Sequence, residues 1–199
     1  MKKLNLHQVE KCLVSSGFRL FRTRNLMSTF EVSKRAAQAF LSYNIDKGAF
    51  VRLKPGLFAL TSNLPGDFAI ANRLYYPSYI SLNSALSYYN LIPESVYAVT
   101  SVTPKPTREF EVIDRLFDYR RIKRQAFAGY VPKVIDGETV YIATKEKAVA
   151  DFFYFVFLGK RGYNNRLKLG NLDVSKLKEA LALFSQKKLI TFVNQFLKK

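Results

Sequence analysis

The sequence predicts an α+β protein in two parts: a small, mostly helical unit closed by a hairpin, then a larger mixed unit. Three observations carry this prediction. Apolar residues recur at helical spacing near both ends, while the middle of the chain runs in short strand-like stretches. Turn signals such as Lys54-Pro55-Gly56 and Asp136-Gly137 separate those stretches. Charge is also partitioned: residues 1–60 hold 11 basic and 3 acidic groups, residues 61–144 hold 9 and 8, and residues 145–199 hold 12 and 4. With 199 residues and 48% hydrophobic content there is apolar material for two domains, expected at 1–65 and 66–199.

In the first part, Leu6, Val9 and Leu13 share one helical face, Asn5 with Gln8 resembles a capping box, and Gly17 ends the helix. Thr23 is expected to cap a short second helix carrying Leu26 and Met27, followed by a turn at Phe30-Glu31-Val32. Ser33 is expected to cap a third helix over residues 34–47, with Ala37, Phe40, Leu41 and Ile45 facing inward. Phe50–Leu53 and Leu57–Leu60 then read as two strands around the Lys54-Pro55-Gly56 turn. Helix, turn, helix and two-stranded wing in that order predict a winged helix-turn-helix, which presents one helix to a DNA groove.

The residues on the outer face suit that task. Lys34, Arg35, Gln38 and Ser42 lie opposite the apolar stripe; Arg35 has the geometry to fork onto guanine and Gln38 onto adenine. Ser33 and the helix N-terminus suit a phosphate. Arg22, Arg24, Arg52 and Lys54 are placed for phosphates around them. The other readings of this face are protein contact or plain solvation, and Glu31 near it is unfavourable for DNA.

In the second part, a helix is expected over Asp67–Leu74 and another after Pro77-Ser78, with Ile80, Leu82, Ala85, Leu86 and Tyr89, ending at a left-handed Asn90. Strands are expected over Val96–Val102, Arg108–Val112 and Phe117–Ile122, with a hairpin at Asp136-Gly137 flanked by Val134 and Val140–Ile142. Thr144 should cap a helix over Lys145–Leu158, whose apolar end from Phe152 is too short to span a bilayer. Two helices follow, the last with a stripe of Leu189, Phe192, Val193, Phe196 and Leu197 and closing cations Lys198 and Lys199.

Several strings in this part occur in a recognisable order. They are Tyr76-Pro77-Ser78-Tyr79-Ile80-Ser81-Leu82, Ser84-Ala85-Leu86, Leu91-Ile92-Pro93-Glu94, Thr100-Ser101-Val102-Thr103, Phe127-Ala128-Gly129-Tyr130, and Ile142 to Ala148 with Asp151. With the winged unit ahead of them, the chain resembles the AbiEi-type antitoxins, transcriptional regulators of type IV toxin–antitoxin systems in phage abortive infection. Asn90 stands where that family often has Gly, and Lys145 where it often has Pro; both fit the same backbone. The resemblance implies a cognate nucleotidyltransferase-like toxin. It also implies an N-terminal domain that represses the shared operon at promoter repeats, and a C-terminal domain associated with toxin neutralisation.

A net charge of +17 points to a polyanion. One cysteine, Cys12, and one histidine, His7, exclude a disulfide framework and the usual zinc sites. Polar residues interrupt the N-terminal stretch, so no secretory signal is expected and the chain is read as cytoplasmic, without membrane contact. No P-loop, nucleophile elbow or dinucleotide loop is present, so the expectation is a non-enzyme without cofactor or metal. Glu146, Lys147 and Asp151 form the best catalytic-looking cluster, but Lys147 and Asp151 at four-residue spacing read better as an ion pair packing the domain. Tyr75, Tyr76, Tyr79, Tyr88 and Tyr89 read as core rather than as a base-stacking platform.

A second cationic group remains. As a strand, Arg120-Arg121-Ile122-Lys123-Arg124 would put Arg121 and Lys123 on one face and Arg120, Ile122 and Arg124 on the other. It reads either as a nucleic-acid or acidic-partner surface or as a charge-protected sheet edge. Lys160, Arg161, Arg166 and Lys168 lie in a loop that is either a phosphate-binding segment or a soluble connection. The expected function is a DNA-binding autoregulator and antitoxin acting as monomer or weak dimer on operator duplex. A nuclease-like enzyme and an RNA-binding protein are the alternatives.

Overall fold

The computed structural model describes residues 4–197; the expected closing cations Lys198 and Lys199 lie outside them. Over the described residues the protein is mixed α+β, with eight α-helices, a three-stranded antiparallel sheet near the N-terminus and a six-stranded mixed sheet. The chain divides into two compact units, residues 1–66 and 67–199. No described helix is long and apolar enough to cross a membrane.

The first unit begins with α1 (Leu6–Ser15), whose cap Asn5 accepts from the Gln8 N–H at 3.3 Å. Strand β1 (Leu20–Phe21) follows, then α2 (Thr23–Phe30) and α3 (Lys34–Asp46). Thr23 is the first residue of α2 rather than its cap. Arg22 takes the cap position with no side-chain cap bond of its own, and its N–H donates to Asn25 Oδ1 at 2.7 Å, the return half of a capping box. The turn between α2 and α3 places Glu31 at φ 53°. Ser33 caps α3, its Oγ accepting from the Ala36 N–H at 3.2 Å.

Strands β2 (Phe50–Lys54) and β3 (Leu57–Leu60) form the hairpin, with Lys54 inside the strand and Gly56 at φ 78° in the turn. Two strands were expected here and the sheet has three: β1 pairs with β3, Leu20 opposite Ala59 and Phe21 opposite Phe58. Val9, Leu13, Phe21, Leu26, Leu41 and Phe50 meet in one core, with Phe21 edge-on to Phe50 at 5.5 Å. Burying one such side chain stabilises by about 1.5–3 kcal/mol.

The second unit opens with α4 (Asp67–Leu74), β4 (Tyr79–Ile80) and α5 (Leu82–Tyr88). Ile80, expected in a helix, is instead a sheet residue: β4 lies between β5 (Val99–Thr103) and β9 (Glu138–Ala143), fully buried on both faces. Such a strand has no alternation to distinguish it from a helix segment. Tyr89 likewise falls at the cap after α5, and Asn90 follows at φ 56°. There the Leu91 N–H reaches Leu86 O at 2.9 Å and closes the helix end. Strand β5 starts at Val99, three residues later than expected.

The sheet is completed by β6 (Arg108–Val112), β7 (Arg115–Arg121) and β8 (Tyr130–Ile135), in the order β6-β7-β5-β4-β9-β8. The β5–β7 and β4–β9 pairs are parallel and the rest antiparallel. Helix α6 (Lys145–Phe157) is capped by Thr144, whose hydroxyl accepts from the Lys147 N–H. It is buried from Lys147 to Phe155, while Leu158 just beyond it is exposed. Helices α7 (Val174–Ala182) and α8 (Lys187–Leu197) finish the chain; Leu189 and Val193 of the apolar stripe are fully buried.

Candidate nucleic-acid interface

Helix α3 is held by its apolar stripe, with Ala37 and Leu41 buried and Phe40 and Ile45 half-buried. Asn44 is also buried, because its Nδ2 turns back to the Phe40 carbonyl at 2.8 Å and satisfies itself within the helix. That orientation leaves Ser33, Lys34, Arg35, Gln38 and Ser42 exposed. Arg35, Gln38 and Ser42, at offsets of three and seven, share one side of the helix.

A cleft of about 380 Å³ lies between this side and the hairpin, lined by Thr23, Gln38, Leu41, Ser42, Arg52, Pro55, Gly56 and Phe58. Arg52 is exposed, with its guanidinium 5.8 Å from the centre of the Phe58 ring. A register shift between Arg52 and Lys54 breaks the alternation, so Leu53 is buried and Lys54 half-buried. Arg22 and Arg24, at the start of α2, are exposed. Of the nine expected residues, Gln38, Ser42 and Arg52 therefore line one cleft. Lys34 and Arg35 stand one turn toward the start of the same helix, and Lys54 is the least accessible.

Tyr43 belongs to this exposed surface and was missed from the sequence. It is 59% exposed, with the Lys47 ammonium 4.4 Å over its ring. The signal was present: position 43 falls off the stripe formed by residues 37, 40, 41 and 45.

The catalytic-looking cluster of the second unit is closed. Lys147 and Asp151 are both fully buried and directly paired, one turn apart on α6. Asp151 also accepts from Ser81 Oγ at 2.7 Å and Tyr79 Oη at 3.0 Å. Burial pushes the Asp151 carboxyl up from its ordinary range; the Lys147 ammonium and the two hydroxyls pull it back. Glu146 turns away and accepts from the Asp173 N–H at 3.3 Å. Of the five crowded tyrosines only Tyr79 is core; Tyr76 is 70% exposed and Tyr88 38%.

The second cationic group is rearranged more heavily. Strand β7 stops at Arg121, and a 3-10 turn over Arg124–Ala126 follows, so residues 120–124 do not form the continuous two-faced strand expected. Nor is β7 a sheet edge, since it lies between β6 and β5. Arg120 is fixed by acids: its Nε is 2.7 Å from Asp118 and its Nη2 3.1 Å from Glu109. Arg120, Arg121, Lys123, Arg124, Lys160 and Arg161 line a single cleft. Arg166 and Lys168 are placed otherwise: Arg166 pairs with Glu94 at 2.7 Å, and the Lys168 N–H donates to Leu91 O at 2.8 Å.

Compared with models of known protein families and with curated proteins, the chain matches none.

Proposed function

We propose that the first unit is a winged helix-turn-helix that binds duplex DNA, and that the protein is a transcriptional autoregulator and antitoxin. One observation carries the DNA reading. The outer side of α3, with Arg35, Gln38 and Ser42, faces solvent beside a hairpin whose Arg52 lines the same cleft. That is the arrangement of a helix entering the major groove with a wing gripping the flanking backbone. Arg35 and Gln38 supply base contacts, while Arg22, Arg24, Lys34 and Arg52 supply phosphate contacts. The antitoxin reading rests on the resemblance of residues 76–151 to AbiEi-type antitoxins. It assigns to the second unit the counteraction of a nucleotidyltransferase-like toxin.

Mobility-shift titration of the full chain on the DNA upstream of its own reading frame tests the first claim. Wild-type protein is expected to bind in preference to unrelated duplex, and Lys34→Ala with Arg35→Ala to abolish that preference with the fold intact. Equal binding to both DNAs by wild-type protein would contradict it. Co-expression with the product of an adjacent nucleotidyltransferase-like gene tests the second claim. Growth should be restored by the full chain and by the Lys34→Ala, Arg35→Ala variant alike.

A further inference from the structure

The cleft formed by the second cationic group has a volume of about 740 Å³. It opens where β5 and β7 end together. These strands are parallel neighbours with Thr103 opposite Arg121, and Pro104 and Ile122 follow directly into the cleft wall. Crevices beyond the carboxyl ends of parallel strands are recurrent ligand sites, because the chain must diverge there. Its lining combines the buried Ile122, Tyr154 and Phe155 with six cations.

Two structural explanations fall short of six. Charge that guards an open strand is not needed on β7, which is paired on both sides. Cations after a helix C-terminus are favoured by its dipole, which accounts for Lys160 and Arg161 beyond α6 but not for the four that follow from β7. Gathering like charges costs free energy unless an anion joins them.

The six divide into a pair fixed by an acid, three without an acidic partner, and Lys123 on a carbonyl. Arg120 and Arg161 converge on the buried Asp118. Arg161 also donates to Asn83 Oδ1 at 2.6 Å. Burial and the Arg120 charge both disfavour the Arg161 cation, and Asp118 supports it. Arg121, Arg124 and Lys160 are exposed, and none has an acidic partner among the described residues. Lys123 donates to the Phe184 carbonyl at 3.1 Å.

We propose that this cleft binds clustered phosphates, the oligophosphate of a nucleoside triphosphate or of an RNA 5′ end. The volume matches the roughly 300–1,000 Å³ of clefts that hold one small molecule, not a track for a duplex. The guanidiniums of Arg121 and Arg124, which have no acidic partner among the described residues, suit bidentate contact with phosphate oxygens. The site is independent of the DNA-binding reading, which concerns the other unit.

Calorimetric titration of the full chain, without divalent metal, tests it with inorganic triphosphate, ATP and a short single-stranded RNA bearing either a 5′-triphosphate or a 5′-hydroxyl. Saturable binding of inorganic triphosphate at one site is expected. Tighter binding of ATP would mark the nucleotide as the source, and a preference for the triphosphorylated RNA the RNA end. Replacing Arg121, Arg124 and Lys160 together by Gln should weaken triphosphate binding more than about tenfold, given the strength of charge-assisted hydrogen bonds. The unliganded thermal midpoint should not fall, since like charges are removed and no ion pair is lost, and Arg121→Gln alone should also weaken triphosphate binding. The Lys34→Ala, Arg35→Ala protein should bind triphosphate as wild type does, which separates this site from the DNA surface. Absence of saturable triphosphate binding, or wild-type affinity in the triple variant, would overturn the proposal.

Discussion

Lys147 is the most demanding single residue in the chain. An ammonium with no solvent exposure is tolerable only beside an ionised partner, and Asp151 supplies it from one turn along α6. The aromatic rings of Phe184 at 4.9 Å and Tyr79 at 5.7 Å add favourable faces. Lys147→Met should therefore cost about 3–5 kcal/mol by leaving Asp151 buried and unpaired. Lys147→Met with Asp151→Leu should recover much of that loss, although Tyr79 and Ser81 then lose an acceptor. Urea denaturation of the three proteins reads this, and additive losses would contradict it. Gly129 belongs to the same cluster: it sits at φ 75°, and an added Cβ would lie 3.1 Å from Lys147 Cγ and Cδ. Gly129→Ala should cost about 1 kcal/mol or more, from backbone strain and contact together. The four-residue spacing of Lys147 and Asp151 made their pairing legible in the sequence. The hydroxyls of Tyr79 and Ser81 come from residues about seventy positions away, a separation no local pattern encodes.

Among the elements, α3 depends on its cap. Ser33 satisfies the Ala36 N–H, and Ser33→Ala should cost about 1 kcal/mol by denaturation while weakening DNA binding through fraying of the helix start. The six-stranded sheet depends on buried phenols. Tyr119 donates to the Ala71 carbonyl at 2.6 Å and Tyr79 to Asp151, and burial raises both phenols above their ordinary range. The folded chain therefore holds these protons more tightly than the unfolded chain. Their contribution is complete below about pH 10 and declines as pH rises above it. The urea midpoint should fall on that alkaline limb, and less steeply in Tyr119→Phe; an equal slope in the two proteins would contradict the assignment. Long amphipathic or capped elements, α1, α3, α6 and α8, were legible because periodicity and caps are local. Strands β1 and β4 have two residues each and owe their existence to partners distant in sequence, so local reading assigned the first to no element and the second to a helix. The run at 120–124 was legible as cationic, but the 3-10 turn that bends it around a cleft was not.

For the molecule, the charge pattern and the two compact units fit together. The basic first sixty residues form most of one unit. The near-neutral middle supplies most of the sheet in the other, and the basic segment 145–199 supplies α6, α7, α8 and the loop between α6 and α7. Two separately cored units predict separable activities: a fragment of residues 1–66 should retain duplex binding, and residues 67–199 should lose it. Binding by the full chain should fall steeply with salt as phosphate contacts release counterions. Removing Lys34 alone should lower the slope of log K against log salt by about one. The most direct measurement is fluorescence anisotropy on labelled upstream duplex across a salt series, comparing wild-type protein with Lys34→Ala, Arg35→Ala. The expected result is tight, salt-sensitive, sequence-preferring binding that the double substitution removes without moving the thermal midpoint. Undiminished sequence preference in the double variant would show that α3 does not enter the groove.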